Sequence, residues 1–165
     1  MQLRFPKHLP QFLLSLFLVA PACSGTSAPD TGEAQNPPTA SAADLSAWLK
    51  AGYYKSWHCE PMPHPQGPNG VHGDNRVCSN DVLAAASDQA EYPVGSASVK
   101  ELYNSGAVYG HAVSVRYKTG SSGDAWYWHE NSYSGPGLPV CVGCHKQAGS
   151  GGTYTGHDFV FIRVK

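Results

Sequence analysis

Charge is scarce in this chain. Asp, Glu, Lys and Arg make up 14% of the 165 residues, the formal net charge is −1, and the basic residues form no stripe. The electrostatic footprint of a nucleic-acid binder is missing, so no nucleic acid is expected as a partner. Methionine is nearly missing too: beyond Met1 there is only Met62, in a proline-rich stretch. Long apolar runs are also lacking, and Phe12 to Ala20 is too short to span a bilayer permanently. No internal repeat is visible.

That short run is informative for what surrounds it. Arg4 and Lys7 precede it, and it leads to Ala22 and Cys23, a small residue before a cysteine. Residues 1–22 are therefore expected to be a lipoprotein-type signal peptide, with Cys23 lipidated. Ala20 and Pro21 depart from the preferred pattern, which places Leu three residues before the cysteine, and plain cleavage nearby is the alternative. Either route takes the protein out of the cytoplasm. The expected location is the periplasmic side of a bacterial membrane, anchored by lipid to the outer membrane.

Residues 23–43 are rich in Ser, Thr, Ala, Pro and Gly and hold too little apolar surface to order themselves, so they read as a flexible tether. Residues 44–165 are the right size for one domain with a core. With 18 Gly and 13 Pro, turns and short strands are favoured over long helices. Leu45, Trp48, Leu49 and Tyr53 fall on one helical face, with Ser41 or Asp44 as cap. "DNRVCSND" reads as a strand running into Asn80 or Asp81 as the cap of the short helix "VLAAASD". "SASVKELY" is a further strand. In "HAVSVRYKT", His111, Val113, Val115 and Tyr117 alternate with Ser114, Arg116 and Lys118. "AWYWHEN" sends Trp126 and Trp128 to one face and Tyr127 and His129 to the other. The expected fold class is α+β, mainly antiparallel β-sheet with short peripheral helices.

Near the C-terminus, Cys141, Cys144 and His145 form a CxxCH. Two thiols at this spacing reach the two vinyl groups of one haem, and the histidine that follows is placed to ligate the iron. The competing readings are half a zinc site, a redox CxxC and an ordinary disulfide. Zinc would need a second ligand pair, for which His157 alone is a poor candidate, and a redox CxxC opens a long helix after a strand, whereas Gly135, Pro136, Gly137 and Pro139 precede this one. The expected cofactor is haem c, covalently held, with its iron bound by His145. With Cys23 and the motif cysteines assigned, Cys59 and Cys78 remain, and in an oxidising compartment they should pair across a loop of four prolines and three glycines that lacks secondary structure. Two buried free thiols are the alternative.

No methionine follows His145, so the common arrangement with a distant methionine as sixth ligand does not apply, and an iron with an open distal face is expected. The strand patterns exclude a four-helix bundle. Trp126 and Trp128 read either as a haem wall or as sheet core. His157 and Asp158 are candidates to orient His145 or a propionate, while Tyr154 and His157 read equally as surface groups.

Taken together, "NRVCSND", "PVGSASVKELY", "AWYW", "CVGCH" and "HDFVF" resemble the cytochrome P-460 family over most of residues 53–165. The resemblance implies a mainly antiparallel sheet with a high-spin, five-coordinate c-type haem near the C-terminus. It implies oxidation of hydroxylamine through nitric oxide or, as in the related β-sheet cytochromes c′, binding of nitric oxide. It also implies that Lys100, in the VKEL stretch, is joined covalently to the haem edge and that Arg76 lies near the haem. Two departures stand out. The cysteine-framed stretch from Cys59 to Cys78 is foreign to the pattern, and the residues from Tyr133 to Val140 lack the distal carboxylate that moves protons in catalytic members. Glu130 and Glu101 are the nearest substitutes, each also readable as a solvated strand residue.

The function expected is an exported monohaem protein that binds or oxidises small nitrogen species, and whether it is a hydroxylamine-oxidising haem oxidoreductase stays open. Expected partners are that small nitrogen-oxide ligand or substrate, a soluble or membrane electron acceptor, the membrane through a lipid anchor, and a second copy in a homodimer. The rival is a six-coordinate electron carrier using His58, His64, His72, His111 or His129 as second axial ligand.

Overall fold

The computed structural model describes residues 36–67, 70–88, 91–148 and 156–165. Cys23 and Tyr154, like the expected signal peptide and most of the expected tether, lie outside the described residues.

Six strands form one sheet in sequence order, each antiparallel to the last. They are β1 (His58–Cys59), β2 (Asp74–Ser79), β3 (Ala97–Asn104), β4 (Ala107–Arg116), β5 (Trp126–Glu130) and β6 (Tyr133–Pro136). Among the described residues three short α-helices accompany them: α1 (Ala42–Ala51), α2 (Asp81–Ala85) and α3 (Pro139–His145). The α+β expectation therefore holds, with the sheet dominant. β1 and β6 were not anticipated, being too short for a periodic signal.

Local chemistry accounts for the boundaries. Ser41 caps α1 by accepting from the Asp44 amide, and Gly52, at φ 76°, ends it in the left-handed region that glycine enters without strain. Asn80 caps α2 through the Leu83 amide and also bonds Ala97 N and Gly95 O, tying that helix to β3. β3 turns into β4 through Ser105 and Gly106, both at positive φ, which suits a tight hairpin.

The pleat divides the side chains between two faces. On one, α1 lays Leu45, Trp48 and Leu49 against Cys78, Val99, Val113, Val115 and Tyr127. On the other, Trp126 and Trp128 pack with Leu83, Tyr92, Phe159 and Val160, and with Cys141 and Val142 of α3 at the margin. Register puts Val77, Lys100, Ala112 and Glu130 on one rung of this second face. Arg76, Glu101 and His111 form the neighbouring rung on the α1 face.

Cys59 and Cys78 sit opposite each other on β1 and β2 and form a disulfide, as expected. The segment between them is less irregular than its prolines and glycines implied. His64 and Asn75 exchange backbone hydrogen bonds of 2.9 Å in each direction. Met62 lies within it, exposed to solvent.

Arg116 departs furthest from its sequence reading. It alternates away from Val113 and Val115 as expected, yet it is 1% exposed and paired with the fully buried Asp158 and with Glu91. A charge on the second face is buried there because the C-terminal segment folds back over it.

Candidate functional site

α3 begins with Pro139 in its first turn, where a missing amide donor costs nothing. It packs closely on the turn before β5: a Cβ built on Gly123 would lie 2.5 Å from a methyl of Val142. Glycine is required there by contact, not by backbone angle. Within this one helix Cys141, Cys144 and His145 fall at i, i+3 and i+4, so all three share a face. Both thiols are free; Cys141 is half-buried and Cys144 exposed. Burial pushes the Cys141 thiol up to about 11.

His145 Nδ1 donates to the Phe159 carbonyl at 2.7 Å, which leaves Nε2 as the nitrogen able to ligate. Its ring rests against Trp128 at 4.7 Å and Phe161 at 5.2 Å between centroids. Burial holds its pKa down at about 4, the Phe159 carbonyl opposing and the His72 and Lys100 charges reinforcing the shift. At neutral pH His145 is thus an uncharged imidazole, the ligating form.

The ring opens onto a cavity of about 600 Å³, lined among others by Cys144, Lys100, His72, His64, His157 and Phe161. Small-molecule and cofactor sites run from roughly 300 to 1,000 Å³. Lys100 reaches it from β3; burial lowers its pKa, against the pull of Glu60, Glu130 and Cys144. His72 Nδ1 meets Glu130 Oε1 at 3.3 Å, and the His72 and His145 rings pack at 6.4 Å, inclined by 60°. Burial, and after it Lys100, lowers the His72 pKa.

The candidate residues divide by face. Lys100 and Glu130 belong to the face of His145, and Cys144 joins them at the cavity. Arg76 and Glu101 do not: they pair at 2.8 Å on the α1 face. There Glu101, 2% exposed, also accepts from Tyr54 and Tyr103, and Tyr54 OH lies 3.0 Å from His111 Nε2. Burial alone would raise the Glu101 pKa, but these hydroxyls and Arg76 together bring it below the ordinary value. Glu101 is therefore no solvated strand residue, and it is committed to a network facing away from the cavity.

Other expectations resolve individually. Trp128 forms part of the wall beside His145, while Trp126, 6.1 Å from it, lies under the Arg116 guanidinium. His157 lines the cavity. Asp158 does not orient His145; it binds Arg116 and the Tyr92 amide, and the neighbouring Phe159 carbonyl takes the orienting role. His58 bonds Asp81, and His129 contacts Ser134 on the α1 face. Sequence reasoning missed the Phe159 carbonyl, the Phe161 ring and the His72 to Glu130 pair. Only the last has a sequence signal, a histidine in the stretch foreign to the resemblance.

Among the described residues no group of three or more His, Cys, Asp or Glu side chains is arranged to hold a metal ion. No helix described there is long and apolar enough to cross a membrane. No family model, no curated protein and no solved structure matches the chain.

Proposed function

We propose that this is an exported c-type monohaem protein of the cytochrome P-460 kind, lipid-anchored through Cys23, whose haem iron would bind small nitrogen species such as nitric oxide or hydroxylamine. The observation that carries the reading is the CxxCH on one helical face, with His145 anchored through Nδ1 to Phe159 and turned onto a cofactor-sized cavity. The residues fit the group. Cys141 and Cys144 are unpaired thiols for the two thioether bonds, and His145 is held as a neutral donor. A porphyrin brings four of the iron's ligands itself, so one protein imidazole suffices where a bare metal ion would need three or four side chains.

When bound, the haem supplies an iron that takes a small ligand and exchanges electrons. The chain does the rest. The Phe159 carbonyl fixes the tautomer and tilt of His145 and raises its donor strength. Trp128 and Phe161 flank that ring and limit its tilt. Glu130, through His72, is a carboxylate available to hold a proton at the cavity.

The test has two arms: acid acetone extraction of one sample of the exported protein, and the absorption spectrum of a separate native sample with and without carbon monoxide or nitric oxide. Retained colour and a spectrum changed by either gas are expected; loss of all haem on extraction sinks the reading. A second reading, a six-coordinate electron carrier, is favoured by one observation, the packing of His72 against His145.

A further inference from the structure

Five histidines compete for the place opposite His145 in a six-coordinate site, and their environments separate them. His58 is held by Asp81, His64 by Glu60 and the Pro65 carbonyl, and His111 and His129 belong to the α1 face. A sixth, His157, lines the same cavity, but among the described residues His72 is the histidine whose ring packs against that of His145.

The two rings share a mode of restraint. Nδ1 of His145 is taken by Phe159 and Nδ1 of His72 by Glu130, so each presents Nε2 as its free ligating nitrogen. Two imidazoles bound on opposite sides of one metal at about 2.0–2.1 Å, with about 1 Å more from nitrogen to ring centre on each side, have centroids about 6 Å apart. The observed separation is 6.4 Å.

The backbone carrying His72 is built as well. It lies between Cys59 and Cys78, beyond the His64 to Asn75 bridge, with Gly73 at φ 67° beside it. Gly73 N donates to Gln66 Oε1, and Asn75 Nδ2 donates to Gly73 O. This segment is outside the paired strands, so His72 can withdraw without breaking a sheet rung; a strand-borne ligand could not.

We propose that His72 is a displaceable second axial ligand, with Nε2 opposite His145 in the resting protein and giving way when a small ligand binds. The inference rests on the haem reading above. The exchange breaks one nitrogen to iron bond and forms one ligand to iron bond, with no electron transferred and no proton moved. The resting site then departs from the five-coordinate haem that the resemblance implies, through a side chain of the stretch foreign to that resemblance, and small-ligand binding becomes conditional on His72 departure.

The experiment uses the full, haem-loaded chain and its His72→Ala variant, with His58→Ala as control and His72→Gln in reserve should the alanine variant not accumulate. Wild type and His58→Ala should be low spin at rest, and both His72 variants high spin. Carbon monoxide binding to the ferrous wild type should reach a rate plateau as gas concentration rises, whereas the variants should show no plateau and an apparent affinity at least about tenfold tighter, because the free position is no longer only fractionally populated. A high-spin wild type matching His72→Ala overturns the inference and leaves the haem reading standing. A low-spin wild type that turns high spin in His72→Ala but never takes the gas overturns displacement and small-ligand function together, keeping His72 as a fixed ligand. A chain without covalent haem overturns the proposed function and the inference with it.

Discussion

Replacing Asp158 by alanine is expected to cost more stability than any other single change near the site. Its carboxylate and the Arg116 side chain are both 0% exposed, and it also accepts the Tyr92 amide. Removing it leaves a buried guanidinium whose other partners are Gly120 O and the half-exposed Glu91. Breaking a buried pair from one side costs about 3–5 kcal/mol, and the orphaned Tyr92 amide adds roughly 1 kcal/mol or more. A loss near 4 kcal/mol lowers Tm by on the order of 10–15 °C in a domain of this size. The pair is not itself a large net asset: burial raises the Asp158 pKa, so ionisation there is unfavourable relative to water, and Arg116 Nε has no hydrogen-bond partner among the described residues. Arg116→Met with Asp158→Leu should therefore lose far less than the sum of the single changes, under about 2 kcal/mol. Urea unfolding of wild type, Arg116→Met, Asp158→Leu and the double variant measures the cycle, with Asp158→Ala beside them. A single-variant loss below about 1 kcal/mol, or a double variant as damaged as the sum, would refute the reasoning.

Three further expectations follow from the same geometry. If Lys100 is joined to the haem, its haem peptide differs from that of Lys100→Leu by more than the substitution, and the pyridine haemochrome spectra differ; equal spectra and masses mean that Lys100 only meets a propionate or water, and favour nitric oxide binding over hydroxylamine oxidation. In haem-free protein His145 is held at about 4 against an ordinary 6.5, so the folded state binds fewer protons than the unfolded one, and stability falls as pH drops through that window; His145→Ala should flatten that slope, and an unchanged slope counts against it. Glu101→Gln should lower the urea midpoint by loosening the Arg76, Tyr54 and Tyr103 network while leaving the haem spectrum as in wild type, because that network faces away from the cavity; a shifted spectrum contradicts the placement.

What was legible in the sequence was whatever short-range periodicity encodes. Alternation in "AWYWHEN" placed Trp126 and Trp128 on one face and Tyr127 and His129 on the other, and the sheet agrees. Ser41 and Asn80 announced their helices because capping chemistry is local. Partners far along the chain were not legible: Arg116 and Asp158 are 42 residues apart, and nothing in a strand of alternating residues says which polar side will be covered later. The Phe159 carbonyl was invisible for a different reason, since every residue carries one and only the fold selects it; Asp158 and Phe159 both hold left-handed angles, φ 41° and 67°, to present it.

One division was within reach and followed from the pleat alone. Lys100 and Glu101 are consecutive on a strand, so a site that uses one cannot use the other from the same face. Once Lys100 is taken as the cavity residue, Glu101 must lie behind the sheet, and with it Arg76, its cross-strand partner. Glu130, two strands away on the Lys100 rung, is then the carboxylate on the correct face, and it reaches the cavity through His72. The segment between Cys59 and Cys78, the part least like the resemblance, thus supplies the side chain that lies between Glu130 and the imidazole of His145.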